Sequence, residues 1–382
     1  MKLLFAPDSF KGTLTSADII QALRRAAYRH LGPQIEIIEA PIADGGEGTV
    51  DALVTATGGE YRSFTVTGPL GAPVTAQYGI VFGDTAMIEM AQASGLPLVT
   101  SAQRNPLYTS SYGTGELLRA ALGQGIGKIV VGLGGSATND GGMGMLRALG
   151  ARFLDAQGET LPGCGADLGR VRRIDLDGLL PEALAADITC ICDVSNPLLG
   201  PTGATYVYGP QKGATGNMLS ELENGMAHYA RCLETQLGID IASHPGCGAA
   251  GGLGGALWGI LNAKLLPGID VVLDTVRFDH LLDGVALVVT GEGRIDGQSV
   301  RYGKAPTGIL RRCQARGIPV AILAGGMGPE AEAIFDIGQA SILTAVNAPM
   351  PLAEALENAP ALLESAADRL FRFLKIGMSL RA

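Results

Sequence analysis

Charge and aromatic rings are both scarce in this chain. Only 17% of its residues are charged and 5% aromatic, with one tryptophan and a net charge of −9. A nucleic-acid partner wants basic stripes and stacking platforms, so that class of function is excluded. The six cysteines, Cys164, Cys190, Cys192, Cys232, Cys247 and Cys313, contain no C-x-x-C pair. In a chain of 382 residues their irregular spacing suits reduced thiols and a cytoplasmic location. The four histidines lack the spacing of a zinc-binding helix. Also missing are a G-x-S-x-G nucleophile elbow, a Walker A Gly-Lys-Ser/Thr and a signal-peptide core after Met1. The one long uncharged run, residues 246–263, holds seven glycines and an asparagine. It reads as a small-residue helix buried in protein rather than a membrane span.

Glycine is the abundant residue: the chain has 56, about double the usual share. Six fall within residues 132–144, Gly-Leu-Gly-Gly-Ser-Ala-Thr-Asn-Asp-Gly-Gly-Met-Gly, after the apolar run Ile129-Val130-Val131 and before a helical pattern at Met143, Leu146 and Leu149. A strand, a glycine loop and a helix start in that order place backbone N–H groups and a helix dipole where an anion can sit. A phosphate is the natural occupant. The segment formally fits G-x-G-x-x-A. It lacks the first-βα-turn context of a dinucleotide site, which disfavours a nicotinamide-dependent oxidoreductase. Ser136, Thr138, Asn139 and Asp140 supply the loop's polar side chains, and Asp140 is a candidate metal ligand.

The two ends of the chain share a rhythm that the middle lacks. Strands are predicted at Lys2–Ala6, Ile35–Glu39, Ala286–Thr290, Pro319–Leu323 and Ala340–Val346. Helices follow, among them one capped by Thr15 with Asp18 three residues on, and a last one over Leu352–Leu374. Between them Tyr61–Thr67, Val74–Phe82 and Thr85–Met90 alternate like antiparallel strands, with Gly83-Asp84 as a turn. We therefore expect an α/β protein. One domain, residues 1–62 and 285–382, carries a parallel sheet covered on both faces, and residues 63–284 form an inserted mixed α/β domain.

Charged and polar residues gather in glycine-rich loops at predicted strand ends. Asp8, Ser9 and Lys11 follow the first strand, where open α/β sheets bind ligands, although Lys11 reads equally well as a solvated lysine. Asp44-Gly45-Gly46-Glu47-Gly48 repeats the Asp-Gly-Gly-x-Gly of the central loop, with complementing a helix dipole as its plainer explanation. Asp193 and Asn196, Lys212, Glu292, Asp296 and Lys304 complete the set. Carboxylates for Mg²⁺ or for a hydroxyl proton, and lysines for phosphate charge, together suit phosphoryl transfer.

Six segments resemble one family. Residues 6–12 (APDSFKG), 43–48 (ADGGEG), 134–142 (GGSATNDGG), 192–198 (CDVSNPL), 209–213 (GPQKG) and 290–294 (TGEGR) are similar, in this order, to the type-1 glycerate kinases of bacteria. The resemblance implies a flavodoxin-like domain with a restriction-endonuclease-like insert. It also implies ATP- and Mg²⁺-dependent phosphorylation of D-glycerate, giving 2-phosphoglycerate in related members, with 3-phosphorylation as the alternative. On that footing Gly134, Gly135, Ser136, Ala137, Thr138, Asn139, Asp140, Gly141 and Gly142 are expected to cradle ATP, with Lys212 and Glu292. Asp193, with or without Asp140, serves Mg²⁺ or accepts the glycerate proton. Lys11 and Lys212 balance charge on the phosphoryl group and the glycerate carboxylate, while Asp8, Ser9, Lys11, Asp44, Gly45, Gly46 and Glu47 shape the acceptor side. The expected partners are these small molecules, with no nucleic acid and no membrane; a homo-oligomer is compatible with the sequence.

Overall fold

The computed structural model describes residues 1–10, 12–42, 49–301 and 303–380. It is a mixed α/β protein that divides into two compact units, Met1–Gly45 with Ile269–Ala382, and Gly46–Gly268. The divisions fall earlier than the 62/63 and 284/285 expected. Strand Glu60–Thr67 belongs with the second unit because it pairs along its length with Pro73–Val81. Residues 269–284 belong with the first, where Arg312 bonds Asp274 and Asp279, each at 2.7 Å.

The first unit is built on five parallel strands. Across the sheet they run Glu36–Glu39, Lys2–Phe5, Leu287–Ile295, Val320–Met327 and Ala340–Thr344. Both parities along the central strands are buried: Leu3, Phe5 and Val289 on one face, Leu4 and Val288 on the other. Such a sheet must be covered twice, which explains its unbroken apolar runs. Helix Ser16–Leu31 covers one face with Ile19, Leu23 and Ala27, packing beside helix Ala359–Ser379. Its start is a capping box: Asp18 N–H donates to Thr15 Oγ1 at 3.2 Å, and Thr15 N–H to Asp18 Oδ2 at 3.0 Å. The cap contributes about 1 kcal/mol. Truncating the fully buried Leu23 to Ala would cost about 3 kcal/mol.

Two elements differ from expectation for identifiable reasons. Residues 291–295, read from their glycines as a loop, continue the ladder, as do residues 324–327 beyond the expected strand end, with Glu292 paired to Ala324 and Arg294 to Gly326. A side chain on Gly325 would strike the carbonyl of Gly293, so glycine here permits close strand approach. The terminal helix is broken at Asn358 into Leu352–Glu357 and Ala359–Ser379, since Pro360 has no N–H to continue the first.

The second unit holds a six-stranded mixed sheet in the order Lys264–Leu266, Asp187–Ile191, Lys128–Gly132, Thr85–Glu89, Pro73–Val81, Glu60–Thr67. The first four are mutually parallel and the last three antiparallel. The hairpin turn sits one residue before the one expected, with Phe82 and Gly83 at φ 55° and 77°, the type I′ pattern. The glycine-rich run of 246–263 forms a short turn and the buried helix Leu253–Leu261. Among the described residues no helix is long and apolar enough to cross a membrane.

Candidate active site

Four parallel strands of the second unit end side by side, and their register fixes what stands at each end. Glu89 pairs with Gly132, Gly132 with Ile191, and Ile191 with Leu266. One residue further on lie the glycine-rich loop, the Cys192-Asp193 loop and the approach to Gly268. This is the edge at which α/β sheets take ligands.

The glycine-rich loop has an exposed half and a buried half. Gly134 and Gly135 are exposed, and a side chain on Gly134 would meet open space. Leu96 N–H donates to Gly135 O and Ala137 N–H to Ser94 O. That pairing leaves the N–H groups of Gly134, Gly135 and Ser136 without a protein acceptor among the described residues. Three adjacent unpaired donors suit an anion.

From Ala137 to Gly142 the loop is buried, and Asp140 is its anchor. The carboxylate is 0% exposed. It accepts from Ser111 N–H at 2.7 Å, Ser111 Oγ at 2.8 Å, Gly142 N–H at 3.1 Å and Gly144 N–H at 3.3 Å. Ser111 Oγ in turn accepts from Met145 N–H at 3.0 Å. Two expectations are thereby corrected. Asp140 is a buried scaffold rather than an open metal ligand. The first turn of helix Met143–Ala148 spends its donors on Asp140 and Ser111, not on a phosphate. Gly141 and Gly142 are likewise packing positions, since side chains there would strike Tyr229 and Ala256.

Lys212, expected to face phosphate, is 1% exposed and donates to Thr138 O at 2.6 Å. Burial pulls its ammonium down to about 7, against the opposing charge of Asp140; burial likewise raises the Asp140 carboxyl. Thr138 and Asn139 are fully buried, Asn139 Nδ2 donating to Thr205 Oγ1 at 3.3 Å. Lys212 thus supports the loop from behind.

Asp193 is exposed, and its Oδ1 accepts from Gly268 N–H at 2.7 Å. Asn196 is occupied locally, donating to Thr202 O at 2.7 Å and accepting from Tyr208 Oη at 2.7 Å. Glu89 escaped the sequence reading. It ends strand Thr85–Glu89, with its Cγ 3.7 Å from where a side chain on Gly132 would begin. Position at a strand end beside the loop's strand, visible only after pairing, is what marks it.

In the first unit, Asp8 is buried and accepts from Ser9 N–H at 2.6 Å. Ser9 and Glu292 line one pocket with Lys304, whose Nζ lies 2.8 Å from Glu292 Oε1. Glu292 lies within strand Leu287–Ile295, paired to Ala324, rather than on a loop. Lys11, Asp44, Gly45, Gly46 and Glu47 lie outside the described residues. Among the described residues no three His, Cys, Asp or Glu side chains converge on a metal position. Mg²⁺ needs less, since it commonly takes one or two carboxylates and completes its shell with phosphate and water.

An exposed N–H turn and carboxylates at parallel strand ends define an α/β phosphoryl- or nucleotide-binding protein. Residues 3–375 match the sequence profile of the glycerate kinase family, and the chain belongs to that family. It is 46% identical over 370 residues to the glycerate kinase of Halalkalibacterium halodurans, covering 96% of this chain and 97% of that protein. Against the glycerate 2-kinase of Escherichia coli it is 42% identical over 379 residues, 99% of each. A crystal structure assigned to glycerate kinase 2 of Salmonella typhimurium superposes with a TM-score of 0.86 at 40% identity, covering 99% of both chains. Membership of a kinase family implies ATP as the phosphoryl donor.

Proposed function

We propose that this chain is a glycerate 2-kinase, transferring the γ-phosphoryl group of ATP to the 2-hydroxyl of D-glycerate to give 2-phosphoglycerate and ADP. Beyond family membership, the observation that carries the reading is the Gly134–Ser136 turn, exposed at Gly134 and Gly135, with an exposed Asp193 at the end of the neighbouring strand. The turn's N–H groups hold phosphate oxygens, and residues 137–142 keep the turn rigid. Asp193 takes the hydroxyl proton as the glycerate oxygen attacks the γ-phosphorus and the bridging oxygen leaves on ADP. Glu89 and the ATP phosphates would hold Mg²⁺, which when bound neutralises charge on the transferring group. Lys212 braces the loop and adds positive charge behind it when protonated. Asp8, Ser9, Lys11, Asp44, Gly45, Gly46 and Glu47 serve the acceptor, and Glu292 the nucleotide.

The strand order of the first unit, second-first-third-fourth-fifth, supports reading it as flavodoxin-like. The family resemblance supports a restriction-endonuclease-like second unit. Six free cysteines support a cytoplasmic enzyme. The test is ADP release from Mg-ATP with and without D-glycerate, with the product identified by phosphorus NMR. Glycerate-dependent ADP with a 2-phosphoglycerate signal is expected. A 3-phosphoglycerate signal would move the acceptor hydroxyl, and no glycerate-dependent ADP from folded protein would overturn the reading.

A further inference from the structure

A pocket of about 520 Å³ opens within the first unit at the carboxyl ends of its strands. It is lined by Glu292–Arg294 and Asp296, by Gly325–Met327 and by Ala345-Val346. Its outer wall is helix Leu352–Glu357 with the first turn of helix Ala359–Ser379. The lining is of two chemistries. Met327, Val346, Leu352 and Leu356 present apolar carbon, with Leu352 left 74% exposed. A lone exposed leucine means little, but a contiguous set around a cavity marks a binding surface. The carboxylate of Glu292 also lines the pocket, nearly buried and held 2.8 Å from Lys304 Nζ, with Arg294 and Asp296 in the same polar lining.

We propose that this pocket takes the adenine nucleoside of ATP, with the base against the apolar wall and the ribose toward Glu292. The inference rests on ATP being the donor. The volume lies within the roughly 300–1,000 Å³ typical of small-molecule sites. A purine is a flat, weakly polar slab that such a wall can desolvate, and a carboxylate accepts hydrogen bonds from ribose hydroxyls. The apolar wall does not suit D-glycerate, because all three of its carbons carry oxygen and the leucines would gain nothing from it. Glycine at 325 lets strands Leu287–Ile295 and Val320–Met327 lie close where they line the pocket.

The experiment uses the full chain, titrated with Mg-ADP and assayed with ATP and D-glycerate. Ala355→Trp fills the cavity from the helix, and Leu352→Asp places a charge on the apolar wall at a solvent-exposed position that can tolerate it. Each is expected to raise the Kd for ADP and the KM for ATP at least about tenfold, with the KM for D-glycerate within about twofold of wild type. Glu292→Ala is expected to cut the preference for ADP over 2′,3′-dideoxy-ADP by about tenfold, because both acceptor oxygens facing the ribose are removed. Unchanged ADP affinity in both wall variants, at unchanged Tm and with wild type still phosphorylating glycerate, would overturn the pocket and leave the kinase reading standing. A rise confined to the KM for D-glycerate would also overturn it, assigning the pocket to the acceptor. Wild-type protein that neither binds ADP nor consumes ATP would remove the kinase reading, and this inference with it.

Discussion

The two halves of the central glycine loop have similar composition and opposite environments. Gly134 and Gly135 stand in solvent with N–H groups unpaired among the described residues, while residues 137–142 are buried with Asp140 accepting from four donors. The first half has the features of a ligand surface and the second those of a scaffold. Glycine serves ligand approach in one and chain packing in the other, where side chains would strike Tyr229 and Ala256. A glycine-rich motif is therefore not one functional unit. The same division separates the two aspartates: Asp193 is exposed at a strand end, and Asp140 is sealed inside.

Substitutions can break this contrast. Asp193→Asn should lower kcat by about 10²-fold or more, the range of lost general-base help, with Tm unchanged because Asn keeps an oxygen for Gly268 N–H. Near wild-type kcat would remove Asp193 from the chemistry. Asp140→Ala should act on stability instead, costing about 3 kcal/mol in urea unfolding, because four buried donors lose their acceptor. A soluble variant of wild-type stability would refute its scaffold role.

Glycine substitutions sharpen the comparison within the loop. Gly142→Ala should cost about 2 kcal/mol, since φ is +75° and the new carbon meets Ala256. Gly134→Ala should leave stability within about 0.5 kcal/mol, the usual range for a surface change, and should raise the KM for ATP. The reverse pattern in paired unfolding and kinetic measurements would exchange the roles of the two halves.

The contrast that depends on pH concerns Lys212. Its folded pKa is about 7 against an ordinary 10.5, so between those values the unfolded chain holds a proton that the folded chain has released. Stability contributed by this group therefore rises with pH across that window, by roughly 1 kcal/mol per pH unit. Lys212→Met lacks that term, so the stability of wild type relative to the variant should grow from pH 7 to about 10 in parallel urea titrations. A pH-independent difference would mean that Lys212 is not held in a desolvated site.

Much of this architecture was legible in the residues, through periodicity and capping. The five strands of the first unit, the Thr15–Asp18 capping box and the hairpin region all appear where apolar spacing put them. Glycine misled most, because a glycine that lets two strands approach looks in sequence like a glycine that makes a loop; hence the unexpected length of Leu287–Ile295. Of the site, the strand-end positions of the 134–142 loop and Asp193 were readable. Burial was not. Asp140 is decided by Ser111, 29 residues away, and Lys212 by Thr138, 74 residues away. No local pattern distinguishes a polar side chain facing a ligand from one facing backbone. Glu89 had no glycine-rich signature and emerged only from its pairing with Gly132.

The most direct test of the division is backbone hydrogen exchange, followed by mass spectrometry, on the free protein and with saturating Mg-ADP. Amides of Gly134, Gly135 and Ser136 should exchange fast when free and slow sharply on binding, while residues 139–145 should be protected in both states. Nucleotide binding that leaves residues 134–136 unprotected would contradict the account, because the phosphates would then be held elsewhere.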